Sequence, residues 1–151
     1  MGFFDRAWNV LSAKNVNFAI QTIMKTIMDN ELKHLKEDAD GLLTYEYIAN
    51  HIEGCREQMP ELVSNMIEVD KSGQFLVSAA RYLCAIDRTT YHDEIYRLVS
   101  AAIDRDRERK YIADLLPSVW GADYANRVGE LSASDDNFRR IYKRVYVKNG
   151  I

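Results

Sequence analysis

Apolar residues recur at intervals of three and four positions along almost the whole chain. No segment alternates convincingly with the two-residue period of a strand. The pattern predicts an all-α protein of about eight short helices joined by short loops. Because no Ser/Gly-rich linker interrupts it, we expect a single compact multi-helix domain over residues 1–151.

The N-terminal quarter of the chain is predicted to hold two helices. Asn15 or Asn17 is a suitable N-cap and would separate them. The first helix carries the apolar residues Phe3, Phe4, Ala7, Trp8 and Leu11. The second carries a stripe of Ile20, Ile23, Met24, Ile27, Met28, Leu32 and Leu35.

Two later segments bear on function. Residues 104–110 are charged without interruption, so the helix that precedes them is predicted to emerge into solvent or to break there. Ser134 is placed to cap a last helix that carries Phe138, Ile141, Tyr142 and Val145.

The charge balance narrows the classes of partner. The 151 residues include 20 Lys+Arg and 23 Asp+Glu, for a net charge of −3, so the protein as a whole is not suited to coat nucleic acid. The longest uncharged run is far below the ~18–20 residues of a membrane span, and Asp5 and Arg6 interrupt any signal-peptide core. We expect a cytoplasmic protein, with contact to a membrane surface as an added hypothesis.

Three predicted helix junctions combine Asp with Gly or with a second Asp: residues 38–41, 70–73 and 135–136. Clustered carboxylates suit a hard cation such as Ca²⁺, which takes six to eight oxygen ligands. No junction fits an EF-hand loop. With Gly41 as the sixth position, Lys36 and Tyr47 occupy the first and twelfth positions, and with Gly73 as the sixth, Ala79 occupies the twelfth. The alternative is structural, since Asp and Gly also cap helices and form turns.

One junction resembles a known family. The segment Asp40-Gly41-Leu42-Leu43-Thr44-Tyr45-Glu46 is similar to the acidic turn of the TerB-like tellurite-resistance family, an all-helical domain with two such metal-binding turns. The opening Met1-Gly2-Phe3-Phe4-Asp5-Arg6 resembles the start of its bacterial members, and Ser134-Asp135-Asp136-Asn137-Phe138 resembles the second turn, with Asp136 in place of Gly.

The resemblance implies a ligand set for Ca²⁺ or another divalent cation. Asp38, Asp40 and Glu46 would carry over as ligands of the first site. Asp135 and Asp136 would form only a degraded second site, because no carboxylate follows near Ile141.

The C-terminal segment is basic. Residues 138–151 carry a formal net charge of +5, and the first 137 residues carry −8. Within the basic segment, Arg139/Lys143 and Arg140/Arg144 are like-charged i,i+4 pairs, which repel each other on a helix. These four residues are candidate partner-binding residues. Acidic groups of the same chain are the first candidate to offset the charge, a protein or membrane surface the second, and nucleic acid the least favoured.

The sequence predicts no catalytic site. Glu31 and His34 have the ExxH spacing of di-iron bundles, but the chain has no second ExxH, and no GxSxG, HExxH, P-loop or GxGxxG motif occurs. We therefore expect a non-enzymatic module resembling TerB-like stress-response proteins, with a divalent metal and a protein or membrane-surface partner. The alternative is a small acidic protein-binding module of inhibitor, immunity or phage-accessory type, without metal.

Overall fold

The computed structural model describes the backbone of residues 3–147 and the side chains of residues 13–147. It confirms the all-α fold. The α-helices are α1 (Phe3–Leu35), α2 (Leu42–Asn50), α3 (Met59–Val69), α4 (Gln74–Asp87), α5 (His92–Arg105), α6 (Leu115–Trp120), α7 (Val128–Ser134) and α8 (Asp136–Tyr146). Two 3₁₀ turns, Ile112–Asp114 and Tyr124–Asn126, flank α6.

The prediction of two N-terminal helices is wrong. The helix α1 is one continuous element of 33 residues that runs through both Asn15 and Asn17. Asparagine costs an α-helix only a few tenths of a kcal/mol relative to average residues, so a candidate cap inside a good helical pattern does not by itself end the helix. The predicted apolar residues Phe3, Phe4, Ala7, Trp8 and Leu11 have side chains outside the described part of the chain.

The chain divides into two compact units, residues 1–37 and residues 38–151. The first unit consists of α1 and the two residues after it, and the second holds the remaining helices. The prediction of a single domain over residues 1–151 stays a prediction.

The core of the second unit surrounds α4 and α5, which pack along each other. The helices α2 and α6 also contact α4, whereas α3 and α8 contact α5. Fully buried side chains from these helices fill the centre: Ile48, Leu62, Met66, Leu76, Leu83, Leu98, Ile103, Leu115, Leu116 and Phe138. None of the helices in the described part of the chain is long and apolar enough to cross a membrane.

Candidate functional site

The first predicted metal turn joins α1 to α2. Asp38 is nearly buried, and both of its carboxylate oxygens accept hydrogen bonds from the turn itself. Its Oδ1 accepts from the backbone N–H groups of Asp40 (3.3 Å) and Gly41 (3.1 Å). Its Oδ2 accepts from the N–H (2.8 Å) and the hydroxyl (2.7 Å) of Thr44. The carboxylate therefore satisfies N–H groups at the start of α2 that have no partner within the helix.

The protonation of Asp38 reflects two opposed effects. Burial raises the pKa of the Asp38 carboxyl, and the hydrogen bonds from Thr44, Gly41 and Asp40 lower it. The hydrogen bonds together outweigh burial, so the pKa lies below its ordinary value. Asp38 is thus held as an anion by backbone and hydroxyl donors.

The other predicted ligands of this turn, Asp40 and Glu46, are exposed. Asp40 accepts a hydrogen bond from the N–H of Leu42 (3.0 Å). Within residues 13–147 the structure brings no three His, Cys, Asp or Glu side chains into an arrangement that could hold a metal ion. The divalent-metal hypothesis for Asp38, Asp40 and Glu46 stays a prediction.

Two further turns each hold a buried aspartate whose carboxylate accepts hydrogen bonds from backbone N–H groups that follow it. Asp70, between α3 and α4, is fully buried, and its Oδ1 accepts from the N–H groups of Ser72 (3.0 Å) and Gly73 (2.9 Å). Its Oδ2 accepts from the N–H groups of Phe75 and Leu76, both at 2.9 Å. Each aspartate is followed three positions later by a glycine with positive φ, 106° at Gly41 and 91° at Gly73, a conformation that glycine adopts without steric cost.

The third of these turns follows α5 and begins in the charged stretch of residues 104–110. Asp106 is buried, and its carboxylate accepts from the N–H groups of Lys110 (3.0 Å), Tyr111 (2.7 Å) and Ile112 (2.9 Å). Arg109 has φ 60° at the position that glycine holds in the other turns. Sequence reasoning missed this turn because it lacks glycine and is surrounded by charges. The signal that could have revealed it is the spacing between Asp106 and the apolar residues Tyr111 and Ile112, where the helical pattern resumes.

The three turns lie next to one another. A Cβ added to Gly41 would come within 3.2 Å of the Asp70 Cβ, and one added to Gly73 would come within 3.1 Å of the Asp106 Cβ. The turns therefore form a row, which we call the aspartate turns (residues 38–44, 70–76 and 106–112). In each turn the carboxylate faces backbone N–H groups, as expected for a structural role.

The predicted second site, Asp135 and Asp136, is divided between two tasks. Asp135 is the N-cap of α8, so the prediction that Ser134 caps this helix is wrong by one residue. The Asp135 Oδ1 accepts from the N–H of Phe138 (3.1 Å), and its Oδ2 accepts from the indole N–H of Trp120 (2.8 Å). Asp136 is exposed and forms an ion pair with Arg139.

The basic residues of α8 largely contact their own unit. Arg140 forms an ion pair with Asp104 (2.8 Å), and Arg144 donates a hydrogen bond to the carbonyl of Ile103, both in the last turn of α5. Carbonyls in the last turn of a helix lack partners within the helix and carry partial negative charge, which an arginine stabilises. Lys143 is exposed, and no ion pair or hydrogen bond of its side chain occurs within residues 13–147.

Among the residues whose side chains are described, a row of exposed apolar side chains lies on α1. Val16, Ile20, Ile23, Met24 and Ile27 are each between 49% and 58% exposed. At about 100° of rotation per residue they occupy one side of the helix, which we call the α1 seam. Phe18, 73% exposed, lies on roughly the opposite side, together with Lys14 and Lys25.

No family model, curated protein sequence or solved structure matches this chain. The resemblance of residues 40–46 and 134–138 to the TerB-like family therefore stays a prediction.

Proposed function

We propose that the protein is a non-enzymatic helical module that pairs with a second copy of itself through the α1 seam. The observation that carries the proposal is the exposure of five large aliphatic or thioether side chains within twelve residues of one helix. Isolated exposed apolar residues are ordinary, but a contiguous row on one face is typical of a contact surface.

The spacing of the seam favours another helix as the occupant. Val16, Ile20, Ile23 and Ile27 are separated by four, three and four residues, the alternation of a coiled-coil seam. An antiparallel pair centred between Gln21 and Thr22 would place Val16 against Ile27 and Ile20 against Ile23, so each of the four layers holds one side chain from each copy.

The charge pattern favours a second copy over an oppositely charged partner. Between Lys14 and Asp29 the only charged residue is Lys25, and both lysines lie away from the seam. Asn17, Ala19 and Thr26, which flank the seam, are uncharged. Flanking charges normally set partner choice in coiled coils, and without them self-pairing meets no repulsion.

The gain from burying the seam is of the same order as the cost of association. Burying a large apolar side chain completely contributes about 1.5–3 kcal/mol. Each copy supplies five half-exposed side chains, so removing these exposed halves from water contributes roughly 8–15 kcal/mol in total. Association itself costs about 4–15 kcal/mol. We therefore expect monomer and dimer to exchange as concentration changes.

A membrane surface is the competing occupant. Interfacial helices carry a strongly charged polar face, rich in Lys and Arg. Between residues 13 and 28, the charged residues on the polar face of α1 are Lys14 and Lys25, which lie on the same side as the exposed Phe18. This sparse charge favours the helical partner, and peripheral membrane contact becomes an outcome of the test.

The proposal retains two expectations from the sequence, the lack of catalysis and action through protein contact. The TerB-like stress-response role with its divalent metal stays a prediction. The acidic inhibitor, immunity or phage-accessory type of module stays the alternative, in which the α1 seam would contact a different protein.

Sedimentation equilibrium of the full chain from ~10 to ~500 µM tests the pairing. We expect a concentration-dependent dimer for the wild type and a monomer for Ile23→Glu, because a charge in the seam would be buried on pairing. Phe18→Glu is the matched control on the opposite face and should still dimerise. A monomer at every concentration, or equal loss in both variants, would refute pairing through the seam. A monomer that co-sediments with anionic vesicles would assign the surface to membranes instead.

A further inference from the structure

A cavity of about 230 Å³ opens inside the second unit, between the end of α4, the start of α5, α6 and the start of α8. Its lining combines the apolar side chains of Val99 and Val119 with the ring of Trp120. At about 30 Å³ per water molecule, its volume corresponds to roughly eight waters, which suits a molecule with one or two small rings.

Asn137 lines this cavity and is only 3% exposed. No side-chain hydrogen bond joins Asn137 to any residue in the described part of the chain. Its amide nitrogen and oxygen are accessible from the cavity, so their hydrogen-bonding capacity is available to a molecule bound there. Asparagine at the second position of α8 is not needed as a cap, because Asp135 already performs that role.

The charged groups around the cavity already have partners. Arg88 donates to the carbonyls of Val119 and Ser118. Both oxygens of Asp135 accept hydrogen bonds, from Trp120 and from the N–H of Phe138. Asn137 is therefore the buried polar group with donors and an acceptor to offer, and this chemistry selects an uncharged ligand.

Cys84, also in the lining, is not placed to act as a nucleophile. Burial raises the pKa of the Cys84 thiol, which outweighs the opposing effect of Arg88. A protonated thiol is a poor nucleophile and packs as a small apolar group. The cavity is thus suited to binding rather than to covalent chemistry.

We propose that this cavity binds a small, neutral, planar molecule whose edge presents a hydrogen-bond donor beside an acceptor, paired with the Asn137 amide and packed against Trp120. A primary carboxamide and a purine base both have such an edge, and an asparagine amide pairs with adenine through its N6 and N7 atoms. The cavity lies within residues 38–151, so the inference is independent of the α1 seam.

Calorimetric titration of the full chain with benzamide and with adenine tests the proposal. We expect at least one of them to bind and to shift the side-chain amide resonances of Asn137 in ¹⁵N-resolved NMR spectra. Acetophenone, which has the ring and the carbonyl of benzamide but no N–H donor, should bind at least about tenfold more weakly. Binding by benzamide alone assigns the carboxamide class, and binding by adenine alone assigns the base.

Three variants locate the site. Asn137→Leu should weaken binding at least about tenfold with little change in the melting temperature, because the amide forms no hydrogen bond within residues 13–147 that the change would remove. Val119→Phe should fill the cavity and abolish binding even if Asn137→Leu misfolds. Asn126→Leu, at an exposed asparagine outside the cavity, should bind as the wild type does. Absence of binding by both probes at millimolar concentration, or binding unchanged in Asn137→Leu and Val119→Phe, would overturn the proposal.

Discussion

Asp70 and Asp104 lie near the ends of neighbouring helices, and their surroundings differ completely. Asp70 is fully buried and accepts hydrogen bonds from four backbone N–H groups at the start of α4. Asp104 is exposed in the last turn of α5, where the helix dipole disfavours an anion, and pairs with Arg140. A carboxylate that organises backbone is therefore expected to contribute several times more stability than one that meets an arginine in solvent.

The largest effect is expected for Asp70→Ala. This change leaves buried N–H groups of α4 without acceptors, and we expect a loss of about 3–5 kcal/mol in the free energy of unfolding. Urea denaturation measures it. Asp104→Ala is the matched control and should cost less than about 1 kcal/mol. Comparable losses in the two variants would contradict a stabilising role specific to the buried carboxylate.

Asp38→Ala should lower the free energy of unfolding by about 2–3 kcal/mol at pH 7. The buried N–H groups of Gly41 and Thr44 and the Thr44 hydroxyl lose their acceptor in this variant. The folded-state pKa of Asp38 is lowered, so its contribution is present above the unfolded-state pKa and is lost as pH falls below about 4, through the folded-state pKa. Denaturation at pH 7 and pH 3 should show that the gap in the free energy of unfolding between wild type and variant is narrower at the lower pH.

The same variant separates the backbone role of Asp38 from the predicted metal role. Its cost in EDTA reports the backbone role alone, whereas a rise in wild-type melting temperature in millimolar Ca²⁺ would support the metal hypothesis. That rise should vanish in Asp40→Ala, which keeps Asp38 in place. If Asp38→Ala is as stable as the wild type in EDTA, the structural role of Asp38 is contradicted.

Asp135→Ala should have an intermediate effect of about 1–2 kcal/mol, the usual range for loss of an N-cap. Asp135 accepts hydrogen bonds from one backbone N–H group and from the Trp120 indole, whereas Asp70 accepts from four backbone N–H groups. Thermal unfolding measures the loss, and Asp136→Ala, at the exposed neighbour, is the control with little expected change. A loss as large as that of Asp70→Ala would mean that Asp135 organises more of the unit than these two bonds.

The smallest effects are expected on the basic face of α8. Arg140→Gln removes the pair with Asp104 and should cost less than about 1 kcal/mol, with the loss shrinking in high salt. Lys143→Gln relieves repulsion from Arg139 and should leave stability unchanged or raise it slightly at low salt. Denaturation of both variants at low and high salt distinguishes these outcomes. A low-salt gain from Arg140→Gln would instead indicate that this residue awaits an external anion.

The helical class of the fold follows from periodicity, because the three- and four-residue spacing of apolar positions has one structural solution. The turns at residues 38–41 and 70–73 were marked by Asp and Gly, but what their carboxylates face depends on how the chain folds back over them. The turn at Asp106 has Arg109 where the other turns have glycine, so nothing in the sequence marked it as a turn. Asn137 is of interest only because the surrounding helices leave a cavity beside it. Such features arise from packing between elements distant in sequence, which single-sequence patterns do not encode.

The row of aspartate turns has a consequence for the exchange of amide protons with solvent. Turn amides normally exchange quickly, but those of Gly41, Gly73 and Ile112 donate to buried carboxylates. Opening the first or the second turn exposes a buried carboxyl group, its donors and the glycine packed against the next aspartate in the row. The protons of all three turns should therefore exchange at rates close to those of the α4 and α5 core, which makes these loops part of the last region of the second unit to open.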